Sequence, residues 1–128
     1  MGIPVILLDT SVLIGMSFPS GESLGASVIS LAELQFGVYG ARTAEIRAQR
    51  VRRLSELREL GFEWIPLDED AARCYGELAA EVSKRRPGHS RSKDIMIAGH
   101  AYSLGVALAT HNVKDFELIA HLVQIVEL

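Results

Sequence analysis

Five short apolar runs punctuate the chain, and amphipathic segments separate them. In "PVILLDTSVL", Pro4 to Leu8 are apolar at every position, which predicts a strand buried on both faces. Thr10 to Met16 reads as a short helix, and "SFPSGESLG" as a loop. Ala26 to Ile29 reads as a second strand. "SLAELQFGVYGA" predicts a helix from near Ser30, with Leu31, Leu34 and Val38 on one face. From Thr43 to about Leu60, the residues Val51, Leu54, Leu57 and Leu60 recur at helical spacing, and Gly61 is placed to end that helix. "FEWIPL" is a third strand. Asp68 can cap a helix whose apolar stripe is Ala71, Tyr75, Leu78, Ala79 and Val82. "RRPGHSRS" is a loop. Ser92 can cap a helix carrying Ile95, Ala98, Ala101 and Leu104, and Gly105 can stop it. "VALAT" is a fourth strand, a short helix containing Phe116 follows, and "LVQIVEL" is a fifth strand.

Strands that alternate with helices, several of them apolar on both faces, predict a mainly parallel sheet of about five strands covered by helices on both sides. The fold class is α/β, a three-layer α/β/α sandwich. Residues 1–128 are expected to form a single domain. In such folds ligands bind outside the carboxyl ends of the strands. Asp9 ends the first strand, and Thr110 ends the fourth.

Composition narrows the class. With 48% hydrophobic and 23% charged residues, the 128-residue chain can fill a core and is of ordinary soluble composition. Its one cysteine, Cys74, permits no intramolecular disulfide, which fits a reducing cytoplasm. The first apolar run stops at Asp9, far short of the ~20 residues that span a bilayer, so no membrane role is expected. It also lacks a basic leader and a cleavage site. No repeat or low-complexity linker is present.

The net charge of −3 does not announce a nucleic-acid binder. The arginines are clustered, however. Arg42, Arg47, Arg50, Arg52, Arg53 and Arg58 share one segment, and Lys84, Arg85, Arg86, Arg91 and Lys93 share another. On charge alone these read as solvated helix faces and a surface loop.

Four carboxylates are candidates for chemistry: Asp9, Glu33, Asp94 and Asp115. Each also has a structural reading. Asp9 can cap the helix at Thr10. Ser30 and Glu33 have the spacing of a capping box, which Asn112 and Asp115 repeat with weaker residue types. Asp94 suits the dipole in the first turn of its helix. Capping does not ask that Asp9 and Asp115 both follow strands of one sheet at its ligand-binding end. Carboxylates gathered in one pocket repel unless a cation neutralises them. Oxygen ligands without His or Cys at suitable spacing select Mg²⁺ or Mn²⁺. Such a site suits phosphodiester hydrolysis by metal-activated water.

The blocks "LLDTSVLI", "SLAELQFG", "DIMIAGHA" and "THNVKDF", in this order, resemble those of the PIN-domain nucleases, and most of all the VapC-type ribonuclease toxins of toxin–antitoxin pairs. The resemblance covers nearly the whole chain. It implies a PIN-like α/β/α domain, a Mg²⁺ or Mn²⁺ site, endoribonuclease activity on RNA, a cognate antitoxin and a homodimer. Asp9, Glu33 and Asp94 match the acids that hold the metal, and Asp115 matches a fourth. Thr110, Asn112, Ser11 and Thr10 match polar positions that support the site. Under this reading Arg85, Arg86, Arg91 and Lys93 would hold RNA, because their loop leads into Asp94. The 42–58 segment would do the same or flank an antitoxin groove.

Other residues read more plainly. His89, His100, His111 and His121 show no repeated ligand spacing. His111, beside Thr110, reads as a surface or packing residue, with a general-base role as the alternative. Trp64, Tyr75 and Phe116 read as core, and Cys74 as a small buried residue. Phe36, Val38 and Tyr39 are candidates for a dimer or antitoxin surface. Three other functions compete. A haloacid-dehalogenase-type phosphatase needs a second Asp two residues after the first, where this chain has Ser11. A housekeeping RNA-processing nuclease of the same fold would use the same acids. A non-catalytic binding module would not need all four.

Overall fold

The computed structural model describes residues 6–19, 23–89 and 92–128. Pro4 and Val5, expected in the first strand, the middle of the loop over 17–25, and Ser90 and Arg91 lie outside the described residues. The elements are β1 (Ile6–Leu8), α1 (Thr10–Gly15), β2 (Leu24–Ser27), α2 (Val28–Tyr39), α3 (Ala44–Glu59), β3 (Glu63–Ile65), α4 (Glu69–Ser83), α5 (Lys93–Leu104), β4 (Ala107–Thr110) and β5 (Ile125–Glu127). Short 3₁₀ turns span Pro87–His89 and Val113–Ile119.

The sheet runs β3-β2-β1-β4-β5, and every described pairing is parallel. The chain builds outward from β1 to β3, then crosses back to β4 on the other side of β1. The strand order therefore reverses beside β1, the place where open α/β sheets bind ligands.

Alternation along the strands divides the core into two layers. Leu7 and Leu108 face Leu78, Val82, Ile95, Ala98, Ala101 and Phe116 on one side. Ile6, Leu8, Ala26, Ala107 and Ala109 face Val12, Leu13, Leu34 and Leu57 on the other. Trp64 and Tyr75 pack half-buried at the margins, and Cys74 is buried in α4. On the first side α4 and α5 pack so closely that a Cβ on Gly99 would stand 2.7 Å from the Tyr75 Cα.

The helix ends follow local chemistry. Thr43, Asp68 and Ser92 each accept a backbone N–H through the side chain at the starts of α3, α4 and α5. Gly105 ends α5 at φ 68°, in the left-handed region.

Several boundaries differ from the sequence reading. β3 is Glu63–Ile65 rather than the whole of 62–67, and β5 is Ile125–Glu127 rather than 122–128, because the Leu122 and Val123 N–H groups turn back to the Ile119 carbonyl. β2 runs over Leu24–Ser27, upstream of the expected Ala26–Ile29, and α2 starts at Val28. β-Branched Val28 and Ile29 suggest strand, but the Ser27 hydroxyl accepts from the Ile29 N–H at 3.0 Å and starts the helix there. In α3, Leu57 is buried and Leu54 half-buried, whereas Val51 and Leu60 are exposed. Only part of the expected stripe reaches the core.

Candidate active site

Asp9 leaves the end of β1 beside the end of β4. Its backbone N–H donates to the Ala109 carbonyl at 2.9 Å, and the residue is 4% exposed. The carboxylate does not cap α1. It instead accepts two hydroxyl hydrogen bonds at Oδ2, from Ser11 and from Thr110, each at 2.8 Å.

The direction of those bonds is set from behind. The Ser11 Oγ accepts the His111 N–H at 3.1 Å, and the Thr110 Oγ1 accepts the Asn112 N–H at 3.0 Å. A hydroxyl has one proton to give. With backbone donors on their oxygens, both hydroxyls turn their protons to Asp9. Thr110 is wholly buried. Two uncharged donors thus fix the carboxylate without neutralising it, and among the described residues no group donates to its Oδ1.

Glu33 is held by a separate hydroxyl. The Thr10 Oγ1 lies 2.9 Å from Glu33 Oε1 and 2.8 Å from the buried Ser30 Oγ. A carboxylate only accepts, so the Thr10 proton goes to Glu33, and Ser30 supports Thr10 from the helix interior. The capping-box reading of Ser30 and Glu33 fails here. Ser27 is the cap, which puts Ser30 inside the helix and leaves Glu33 free to face the cleft.

That cleft, of about 300 Å³, is lined by Thr10, Ile14, Glu33, Leu34, Gly37, Arg50 and Arg53. Arg50 braces it, with Nη1 donating to the Gly37 carbonyl at 2.6 Å. A somewhat larger apolar cavity, about 350 Å³, is lined by Phe18, Leu24, Leu60, Gly61 and Phe62. It opens at the amino ends of β2 and β3, away from the carboxylates, and none of these residues is ionisable.

Asp94 lies half-buried in the first turn of α5, and Asp115 lies exposed in the turn after β4. The backbone N–H of Asp115 donates to the Asn112 carbonyl at 3.0 Å. Asn112 joins the Asp9 network through its backbone N–H rather than through its side chain. Among the described residues no group of three or more His, Cys, Asp or Glu side chains is gathered to hold a metal ion. The donors that face the site are nevertheless all oxygen, the set that suits a hard divalent cation.

The basic loop is partly engaged already. Arg86 pairs with Glu117 at 2.9 Å and Lys84 with Glu81 at 3.1 Å, all at exposed positions. Arg85 is exposed. Lys93 lies with its Nζ 5.7 Å from the centre of the Phe36 ring. Phe36 and Tyr39 are exposed as expected of a surface, but Val38 is buried. His111 is exposed, and its Nδ1 lies 3.0 Å from the Leu128 carbonyl oxygen.

Three residues were not singled out from sequence. Arg50 and Arg53 share the inner face of α3 with Leu54 and Leu57, and arginines at helical spacing with buried leucines were the available signal. His100 is buried, with Nδ1 2.8 Å from the Ser27 Oγ. Burial pushes its pKa below the ordinary histidine value, against the opposing pull of Asp68 and of a hydrogen bond to the Pro66 backbone.

Residues 6–122 match the family model of the PIN domain. Ribonuclease VapC5 of Mycobacterium tuberculosis (strain H37Rv) is 36% identical over 121 residues, covering 86% of this chain and 84% of that protein. Ribonuclease VapC1 of Haemophilus influenzae (strain R2866) is 36% identical over 102 residues, covering 79% and 72%. Among solved structures, VapBC-5 from M. tuberculosis, a member of the VapBC family of toxin-antitoxin systems, aligns with a TM-score of 0.78 at 32% identity, over 98% of this chain and 100% of that one. VapBC-1 from nontypeable H. influenzae aligns with a TM-score of 0.72 at 28% identity, over 95% and 96%.

Proposed function

This chain belongs to the PIN-domain family, and on that premise we propose that it is an endoribonuclease and the toxin of a toxin–antitoxin pair. The observation that carries the reading is Asp9, fixed through one oxygen by Ser11 and Thr110 at the strand-order reversal, with Glu33 held alongside by Thr10. Relatives that cover most of the chain are named ribonucleases.

Asp9, Glu33, Asp94 and Asp115 would hold Mg²⁺ or Mn²⁺. When bound, such an ion activates water and stabilises the charge that develops on the phosphate oxygens. The chain's own residues do the positioning. Ser11 and Thr110, backed by the His111 and Asn112 N–H groups, hold the Asp9 carboxylate still. Thr10, backed by Ser30, does the same for Glu33. Arg50 and Arg53 offer positive charge to a phosphate on one side of Glu33. The loop with Arg85, Arg86, Arg91 and Lys93 offers it before Asp94. Phosphate contacts of this kind supply affinity and register for a polyanion.

The related solved structures are of VapBC systems, which supports an antitoxin as the protein partner. A homodimer is the expected assembly of the toxin. Among the described residues no helix is long and apolar enough to cross a membrane.

The test is cleavage of single-stranded RNA by the purified chain with Mg²⁺ or Mn²⁺, against a chelator control and Asp9→Asn. Asp9→Asn should remove cleavage while the thermal melt stays cooperative. A variant that cuts as fast as the parent would overturn the assignment of Asp9.

A further inference from the structure

Phe36 is a large aromatic side chain left 73% exposed. It lies on α2 one helical turn beyond Glu33, so both side chains leave the same side of the helix. Lys93, the residue before Asp94, brings its ammonium to 5.7 Å from the ring centre, within the range of cation–π attraction. The ring is carried by α2 with Glu33, and the cation over one of its faces comes from α5, next to Asp94. Glu33 has the Arg50 and Arg53 cleft as its other neighbour.

A single exposed ring is ordinary on a protein surface; this one is distinguished by its place one turn from Glu33 and by the cation over it. Single-stranded nucleic acid is bound by this combination: an aromatic face on which a base stacks, and cations that follow the backbone. Phe36 has the face, Lys93 has the charge, and both are within a residue or a turn of a proposed catalytic acid. A protein partner would equally cover an aromatic ring. It would not need a lysine beside the ring, next to Asp94.

We propose that Phe36, with Lys93, is a nucleobase platform of the cleavage site: a flanking base of single-stranded RNA stacks on the ring and sets which phosphate reaches the acids. This rests on the nuclease reading and adds the residue that positions the base. Phe36 acts on binding and register, so its loss appears in KM and in the cleavage position before it appears in kcat.

The experiment uses the full chain and a single-stranded RNA oligonucleotide, alongside the same oligonucleotide with one abasic ribonucleotide placed at each position in turn. Phe36→Ala and Phe36→Leu should each raise KM by about tenfold, the typical effect of losing one stacked base. Phe36→Trp should keep the parental KM. Its added fluorescence, read against the parent with Trp64 alone, should be quenched by the oligonucleotide and not by the version abasic at the stacked position. Parental KM in Phe36→Leu would overturn the platform, as would weakened capture of a protein partner by Phe36→Ala with RNA kinetics unchanged. Quenching by RNA that is never cut would leave the platform standing and sink the nuclease reading instead.

Discussion

The Thr110 hydroxyl donates to Asp9 Oδ2 at 2.8 Å, a bond between residues at the carboxyl ends of two adjacent strands. The register sets it up: Leu8 is paired with Ala109, so the next residues are Asp9, just past β1, and Thr110, the last of β4. Thr110→Val keeps the shape and removes the hydroxyl. It leaves Asp9 with one donor and the Asn112 N–H without its acceptor. The expected loss is about 1–3 kcal/mol of stability, read as a shifted midpoint in urea unfolding, together with slower RNA cleavage. Thr110→Ser should recover most of both. If valine cleaves at the parental rate, the Asp9 carboxylate does not need this brace.

Arg53 tests the path of the substrate. It lines the Glu33 cleft, whereas Arg86 is already paired with Glu117. Arg53→Gln should weaken binding to all RNA sequences alike. It should also make the plot of log K against log salt shallower by about 0.7, the share of one phosphate contact to a single strand. Arg86→Gln should change the slope less. The reverse ranking would move the RNA from the α3 side of the site to the Lys84–Lys93 loop.

Much of this arrangement was legible in the sequence because it is local. Apolar runs mark β1 and β4, and Thr43, Asp68 and Ser92 announce their helices because a cap is satisfied within three residues. The order of elements follows from those signals, and with it the placing of Asp9 and Thr110. What failed was decided by a choice between two local caps or by contacts at a distance. Ser30 and Glu33 have capping-box spacing, but i to i+3 is also the spacing of one face inside a helix. Only the Ser27 hydroxyl on Ile29 and the Thr10 hydroxyl on Glu33 separate the two cases. Arg50 was one arginine among several until Gly37 came within reach of it. His100 gave no sign of the Ser27 contact, 73 residues away.

Gly99→Ala tests the packing of α4 on α5. The added Cβ would stand 2.7 Å from the Tyr75 Cα and 2.9 Å from its N, backbone atoms that cannot turn aside. The helices must separate, at a cost of about 1–3 kcal/mol typical of overpacking. Alanine normally favours a helix over glycine by about 1 kcal/mol, so the sign of the change decides which effect wins. A lowered melting temperature is expected. Stability equal to or above the parent would mean that the close approach is not needed.

His100 should give the protein a pH-dependent stability. Its ring is buried, and burial holds its pKa below the ordinary value of 6.5. The Ser27 Oγ accepts from the Ile29 N–H, so its own proton is available to a neutral Nδ1. As the pH falls below 6.5, the unfolded chain takes up a proton at this residue that the folded chain still refuses. Stability is therefore complete above about pH 6.5 and declines as the pH drops toward the folded value, with a slope of at most about 1.4 kcal/mol per pH unit. His100→Gln cannot titrate. It should be less stable than the parent at pH 7.5 and lose less between pH 6.5 and 5.5, where urea unfolding can be followed before the carboxylates titrate. Equal slopes for parent and variant over that window would show that His100 is not the group responsible.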